Sequence, residues 1–177
     1  MASRVVPLNR EDLKLAGYFP KDTRLPAEWN VPFEGVTEIC SVSACINRSP
    51  DGWIDHWLHN DWGLFNTRAD ARSVIPPAEA PTFQLFAYRL LPVRWENGSP
   101  VPLPDEDSVP LEPLPSGFVA IGFDVVSKTY SLSFECSPLS CNYMAREIRV
   151  NEFCLIDEWE RALETAARFS REEPEPG

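Results

Sequence analysis

The chain has 177 residues, 44% of them hydrophobic and 11% aromatic, values that are typical of a folded globular protein and exclude an intrinsically disordered one. Its formal net charge is −11, and the stretch from Trp95 to Ser127 contains six acidic residues and no lysine or arginine. Because nucleic-acid affinity depends on lysine and arginine releasing counterions, this charge argues against direct binding to nucleic acid or to an anionic membrane.

The amino terminus contains no apolar run of the length that a signal peptide needs, and no window is long and apolar enough for a membrane span. The cysteine count of five is odd, which suits free thiols better than a disulfide framework. We therefore expect a cytoplasmic protein with reduced cysteines and no membrane contact.

Residues 1–35 are predicted to be an irregular segment with one short helix. Asn9 can cap a helix over residues 10–16, and Gly17 can close it. Several prolines then prevent long regular structure. The small and apolar side chains of residues 38–46 predict a strand.

The middle of the chain alternates between turn signals and apolar runs. Residues 53–59 have room for one or two helical turns, and Thr67 with Asp70 predicts the start of a second short helix. The aromatic run 82–95 predicts a long strand. Asn97-Gly98, where both residue types tolerate positive φ, predicts the turn of a hairpin.

Residues 100–116, rich in proline and acid, predict a solvated loop. Residues 117–136 predict a hairpin whose first strand, 117–126, is apolar on both faces and therefore central and covered. A short strand follows over 150–156. Asp157 is then expected to cap a helix over residues 157–170, and 171–177 are expected to be a disordered tail.

Together these elements predict a single α+β domain over residues 1–170. Its mostly antiparallel sheet is packed by the C-terminal helix and by short helices. The sheet strands are expected at residues 38–46, 82–95, 117–136 and 150–156.

Both histidines, His56 and His59, lie in one tryptophan-rich segment that follows Cys40 and Cys45. This inventory loosely resembles that of a zinc finger. The cysteine spacing is wider than usual, however, and would place the two thiols on opposite faces of a regular strand. We expect structural thiols here, with no metal and no cofactor.

The same spacing recurs at Cys136 and Cys141, with Pro138 between them. Four thiols can meet if the two segments pair, but tight zinc knuckles use shorter gaps, and structural thiols are favoured again. No internal repeat is predicted beyond this paired cysteine spacing.

Catalysis would need one of the later cysteines near His56 or His59, with Asp55 or Asp61 orienting the ring. The sequence contains no nucleophile elbow, no phosphate-binding glycine loop and no helical zinc-protease motif. A small metal- or thiol-dependent hydrolase that uses this segment is the alternative function, and binding is favoured over catalysis.

Tryptophans of the histidine segment are either ordinary core or an exposed cluster rimmed by acids, and tryptophan is typical of binding hot spots. The favoured function is non-catalytic binding of another protein with a basic surface, as an inhibitor, an immunity-type protein or an accessory subunit of a larger assembly. The oligomeric state stays open. The expected contact residues are Trp53, Trp57, Trp62, Asp51, Asp55, Asp61, Asp105, Glu106 and Asp107.

Overall fold

The computed structural model describes residues 8–24, 34–42, 60, 62–103, 111–126, 137–140 and 144–172. Among these residues the strands are β1 (Lys14–Lys21), β2 (Gln84–Leu90), β3 (Val93–Glu96) and β4 (Ser99–Pro102), and the helices are α1 (Arg68–Ser73) and α2 (Trp159–Glu172). Short 3₁₀ turns cover Arg10–Asp12, Ala80–Thr82 and Met144–Arg146.

Strand β1 pairs antiparallel with β2, and this pairing overturns the predicted helix at residues 10–16. The helical part is only the 3₁₀ turn Arg10–Asp12, whose N-terminal amide at Asn9 donates to the Asp12 carboxylate at 2.9 Å. The helix signal was local, whereas β2 supplies strand hydrogen bonds from a distant part of the sequence. Gly17 therefore lies inside a strand instead of ending a helix.

The predicted hairpin at Asn97-Gly98 is confirmed. Both residues have positive φ, 52° and 77°, and they join β3 to β4 with Glu96 opposite Ser99. The long strand predicted over residues 82–95 is divided, because Leu91 and Pro92 separate β2 from β3.

The other predicted strands do not form a common sheet within the described residues. In the part of residues 38–46 that is described, Glu38 makes one isolated bridge to Arg24. Residues 117–126 and 150–156 share one bridge, Phe123 to Ile156. Val119 is 82% exposed, so the expected central position of its segment is wrong. Residues 129–136 lie outside the described part.

The sequence predicts helices after Thr67 and after Asp157, and the structure contains both, as α1 and α2. Thr67 caps α1, and its hydroxyl accepts from the Asp70 amide at 3.1 Å. Helix α2 extends to Glu172, two residues into the predicted tail. Its buried positions are Ala162 and Thr165, whereas Trp159, Leu163 and Ala166 are half-buried.

An internal repeat, not anticipated beyond the cysteine spacing, organises the molecule around two asparagines. Asn60 accepts at Oδ1 from the amides of Trp62 and Leu64, at 3.0 and 3.2 Å, and Nδ2 donates to the Ala16 carbonyl at 2.8 Å. We call residues 60–66 the first Asn loop. Its Phe65 exchanges both backbone hydrogen bonds with Tyr18, at 2.8 and 2.9 Å.

The second Asn loop, residues 151–157, repeats these contacts. Asn151 accepts at Oδ1 from Phe153 and Leu155, at 3.0 and 3.1 Å, and Nδ2 donates to the Ile121 carbonyl at 2.8 Å. Ile156 exchanges both backbone bonds with Phe123, at 2.8 and 2.9 Å. A helix follows each loop, α1 after the first and α2 after the second.

A glycine faces each Asn loop at the same place. Gly17 and Gly122 have φ of 147° and 149°, a backbone conformation that side chains disfavour. A Cβ on Gly17 would lie 2.7 Å from the Leu64 Cβ, and one on Gly122 would lie 2.6 Å from the Leu155 Cβ. Close approach of each loop to the segment that faces it thus requires glycine in both copies.

Each repeat consists of an Asn loop, the segment that faces it around Gly17 or Gly122, and the helix that follows it, and the two repeats interlock through exchanged segments. The amides of Thr37 and Cys40, from the first half of the chain, donate to the carbonyls of Glu152 and Phe153 in the second Asn loop. Ile39 accordingly belongs to the second core cluster, whereas Phe118, from the second half, packs against the first. Each core is therefore built from both halves of the chain.

The predicted α+β class is confirmed, with two small antiparallel sheets in place of one larger sheet among the described residues. The first core cluster surrounds Tyr18 and Phe65, and the second surrounds Ile39, Leu139 and Ile156. In this part of the chain, no helix has both the length and the apolar character that crossing a bilayer requires.

Candidate functional site

Most of the residues predicted to contact a partner or a metal lie outside the described residues. Of the residues predicted to contact a partner, Trp62 is described: it is half-buried and packs against the first core cluster. The partner-binding role of this segment stays a prediction. The predicted site residues outside the described part are Trp53, Trp57, Asp51, Asp55, Asp61, Asp105, Glu106, Asp107, Cys45, His56 and His59.

Cys40, the described member of the metal candidates, is a buried free thiol. Burial, aided by the charge of Glu38 and opposed by Lys21, raises its pKa to about 12. Within the described ranges, no three side chains of histidine, cysteine, aspartate or glutamate are grouped so as to hold a metal. Cys40 is thus placed as a protonated core residue.

A buried polar cluster lies where the exchanged segments meet. The Lys21 ammonium donates to the Ser41 carbonyl, and the Ser41 and Ser140 hydroxyls are 2.7 Å apart. The Asp124 carboxylate accepts from the Ser137 hydroxyl at 2.6 Å and from the Val42 amide at 2.7 Å. These contacts tie β1 to three segments that are distant along the chain.

Burial dominates the electrostatics of this cluster. It raises the pKa of Asp124, although hydrogen bonds from Ser137, Val42 and Val125 and the charge of Lys21 oppose the shift. It also raises the pKa of the Cys154 thiol to about 12, with a further contribution from Asp124. The Tyr88 hydroxyl is buried and makes no hydrogen bond to the described residues, and its pKa is raised as well.

The polar groups of this cluster are hydrogen-bonded across distant segments of the chain. The Lys21 ammonium donates to the Ser41 carbonyl, the Ser41 hydroxyl meets the Ser140 hydroxyl, and the Ser137 hydroxyl donates to the Asp124 carboxylate. Thiols with a pKa near 12 are protonated at neutral pH and are poor nucleophiles.

An open groove of about 430 Å³ lies between the 3₁₀ turn Arg10–Asp12 and the start of α2. Two of its lining residues are aromatic, Phe123 and Trp159, and their ring centroids are 5.5 Å apart. The Arg10 guanidinium lies over the Phe123 ring, 5.4 Å from its centroid, and the Trp159 indole donates to the Leu8 carbonyl at 3.4 Å.

The rim of this groove is acidic. Four exposed carboxylates surround it, and Arg10 is the single basic side chain among its lining residues. Because opposite charges attract most strongly near a low-dielectric surface, the rim favours a cationic ligand over an anion. The acidic lining residues are Glu11, Asp157, Glu158 and Glu160. We call this feature the acidic groove.

The corresponding place in the first repeat is closed by the chain itself. The Tyr18 hydroxyl donates to the carbonyls of Glu112 and Pro113, at 3.0 and 3.1 Å, and its ring meets that of Phe118 at 6.2 Å. The Glu112 carboxylate pairs with the Arg68 guanidinium and accepts from the Arg68 amide at 2.7 Å. An extended segment with a charged side chain thus covers the start of α1.

The sequence analysis names Asp61 and Trp62 within the first Asn loop as contact residues, but it assigns no role to Asn60 or Asn151 and does not predict the acidic groove. A signal for the loops was present: residues 60–66 read Asn-Asp-Trp-Gly-Leu-Phe-Asn, and 151–157 read Asn-Glu-Phe-Cys-Leu-Ile-Asp. No such signal marks the groove, since Leu8, Phe123 and Trp159 are brought together only by the fold. Comparison of the chain with models of known protein families, with curated proteins and with solved structures finds no match.

Proposed function

We propose that this protein is a non-catalytic binding module for a basic partner protein, in the manner of an inhibitor, an immunity-type protein or an accessory subunit. The acidic groove is the observation that carries the proposal, because it presents aromatic rings and carboxylates together at the surface. The net charge of −11 extends the same complementarity over the molecule.

The chemistry of the described interior supports binding over catalysis. The buried polar groups bond chiefly to one another, and the two buried thiols have pKa values near 12. A reducing, cytoplasmic compartment belongs to the same proposal and is supported by the free thiols of Cys40 and Cys154.

The proposal is tested by capture and reconstitution. The full chain is used as bait in an extract of its source cells, and each captured protein is purified and titrated back by calorimetry. We expect one stoichiometric complex whose affinity falls at least about tenfold between 50 mM and 500 mM salt, as charge-steered association requires.

Two matched double variants test whether the interaction depends on acidic residues. Asp105→Asn with Asp107→Asn neutralises the proline-rich loop, and Arg94→Gln with Arg149→Gln removes an equal number of positive charges elsewhere. The first pair should weaken the complex and the second should leave it unchanged or strengthen it. Failure of every purified candidate to bind, or binding that ignores salt, would refute the proposed function.

A further inference from the structure

The hairpin tip Asn97-Gly98 is a feature that the proposed function does not use. It is the only place in the sequence where a glycine directly follows an asparagine. Both residues are exposed, and they lie beyond the paired register, which ends where Glu96 faces Ser99. Both have a left-handed backbone, with φ of 52° and 77°. The turn therefore presents an asparagine side chain and the backbone nitrogen of a glycine to water together.

The surroundings of Gly98 leave its backbone nitrogen accessible. A Cβ built on Gly98 would have no atom of the described residues within 4 Å, apart from those of its chain neighbours. Because glycine has no side chain, no group at this position shields its nitrogen from the side chain of Asn97. Asparagine is among the chemically labile residues of proteins. Attack of the Gly98 nitrogen on the amide carbon of the Asn97 side chain thus meets little steric resistance.

The asparagines of the two Asn loops are in a different situation, because hydrogen bonds hold their side chains. The Asn60 side chain donates to the Ala16 carbonyl and the Asn151 side chain to the Ile121 carbonyl, both at 2.8 Å. Each side-chain oxygen also accepts from two backbone amides. These bonds restrain the side-chain torsions that ring closure would have to change. The structure thus separates one reactive asparagine from two constrained ones.

The hairpin that carries Asn97 is a small structural unit. Strands β3 and β4 contain four residues each and form a two-stranded sheet of their own among the described residues. In that part of the chain, neither core cluster includes a side chain of this hairpin. Two-stranded hairpins are marginally stable, so such a unit opens locally at a small cost in free energy. Ring closure needs rotation about the Asn97 backbone, which the closed turn restrains, and the hairpin tip must therefore open first.

We propose that Asn97 is a site of spontaneous deamidation, and that local opening of the β3–β4 hairpin sets its rate. The Gly98 nitrogen loses its proton and bonds to the side-chain carbonyl carbon of Asn97, and the side-chain nitrogen leaves as ammonia. Water then adds to either carbonyl carbon of the succinimide ring and opens it, giving aspartate or isoaspartate at position 97. Both products add a negative charge, and isoaspartate also lengthens the backbone of the turn. The reaction needs no partner protein and is independent of the proposed function.

The test incubates the folded full chain beside a capped peptide of residues 93–102 at neutral pH. Peptide mapping by mass spectrometry measures conversion at each asparagine, and enzymatic methylation of isoaspartate identifies the product. We expect Asn97 to convert about tenfold to a hundredfold more slowly in the folded chain than in the peptide, and about tenfold or more faster than Asn60 or Asn151. Equal rates in chain and peptide, or no conversion of Asn97 in the chain while the peptide reacts, overturns the inference.

Variants distinguish local opening of the hairpin from global unfolding. Trp95 faces Pro100, so Trp95→Ala removes a cross-strand contact and should speed conversion about two- to fivefold. Phe169→Ala removes another half-buried aromatic side chain, from α2, and should leave the rate unchanged. Asn97→Gln should abolish conversion at the turn, because its longer side chain closes a ring far less readily. Equal acceleration by Trp95→Ala and Phe169→Ala, or an unchanged rate in Trp95→Ala, overturns the control by hairpin opening.

Discussion

The first and second repeats share one loop design and differ in what surrounds it. In both, an asparagine side chain organises the loop, and a glycine allows the loop to approach the facing segment, which is β1 in the first repeat and the segment around Phe123 in the second. Around the first loop, β2 pairs with β1, and α1 is only six residues long. The second is followed by the fourteen-residue α2. The loop contacts are thus retained while the covering elements vary, because backbone hydrogen bonds tolerate fewer alternatives than apolar cover does.

The repeats also differ at the loop position that has a left-handed backbone. Gly63 occupies it in the first copy with φ of 69°, and Cys154 occupies it in the second with φ of 59°. A non-glycine residue there carries a conformational cost of about 1 kcal/mol. The buried Cys154 side chain offsets part of that cost through its contacts in the second core.

The largest expected effect comes from filling the space beside the loops. Gly17→Ala and Gly122→Ala should each lower the free energy of unfolding by about 3–5 kcal/mol, because the added Cβ meets a leucine Cβ and the φ is unfavourable. Gly117→Ala is the matched control: its φ is 103° but no atom lies within 4 Å of the added Cβ, so about 1 kcal/mol is expected. Urea denaturation measures all three. Equal losses at Gly17 and Gly117 would show that the close approach is unimportant.

Removal of the loop asparagines should have the next largest effect. Asn60→Ala and Asn151→Ala each remove the hydrogen bonds to two loop amides and to one carbonyl, that of Ala16 or of Ile121. Each substitution should lower the free energy of unfolding by about 2–3 kcal/mol. The measurement is again the free energy of unfolding from urea titration. A large loss for one asparagine and none for the other would contradict the equivalence of the loops.

Asparagine-to-aspartate substitutions sharpen the comparison. Nδ2 of Asn60 donates to Asn66 Oδ1 at 3.1 Å, whereas Nδ2 of Asn151 donates to the Asp157 carboxylate at 2.7 Å. Asn151→Asp therefore brings two carboxylates together and should destabilise more at pH 7 than Asn60→Asp does. The two variants should differ less at pH 4, where the paired carboxylates share a proton.

The polar cluster between the repeats should make stability depend on pH. The pKa of Asp124 is raised by burial, so the folded state favours the protonated acid. Its contribution to stability is therefore greatest at low pH and is lost as pH rises through the folded pKa. Relative to Asp124→Asn, the wild-type free energy of unfolding should fall between pH 4 and pH 8. A difference that stays constant or grows in favour of the wild type would contradict the raised pKa.

The smallest effect is expected where the repeats differ in sequence. Cys154→Gly removes left-handed strain and also removes a buried side chain, so the two changes should nearly cancel, with a net effect within about 1 kcal/mol. Gly63→Ala gains strain without such compensation and should lose about 1–2 kcal/mol. Thermal unfolding of both variants beside the wild type tests this asymmetry.

Local signals were sufficient for some elements. Thr67 with Asp70 predicted the cap of α1, Asn97-Gly98 predicted the hairpin turn, and Asp157 predicted a helix over residues 157–170, where α2 spans Trp159–Glu172. In each case the decisive contacts lie within a few residues of the signal. The α+β class follows from the same elements and is confirmed.

Other elements depended on distant partners and were predicted incorrectly. Residues 10–16 are preceded by a helix-capping asparagine and followed by a glycine, yet Lys14–Lys21 form a strand because they pair with β2. The apolar segment 117–126 has the composition of a central strand, but its described backbone bridge is limited to Ile156, and Val119 stays exposed. The hydropathy of a segment indicates how much apolar surface it can bury, but not which other segment of the chain will cover it.

The amino-acid sequence by itself determined the cap of α1, the hairpin turn, the acidic charge and the two similar loop sequences, since each is a property of neighbouring residues. Only the tertiary structure decided that the two loops face matched glycines and that segments are exchanged between the two cores. It also decided that Phe123, Trp159 and Arg10 lie together in the lining of the acidic groove. The physical reason is that these features are contacts between residues far apart along the chain. Such contacts contribute to stability only when the chain between them has closed into a loop, which costs conformational entropy.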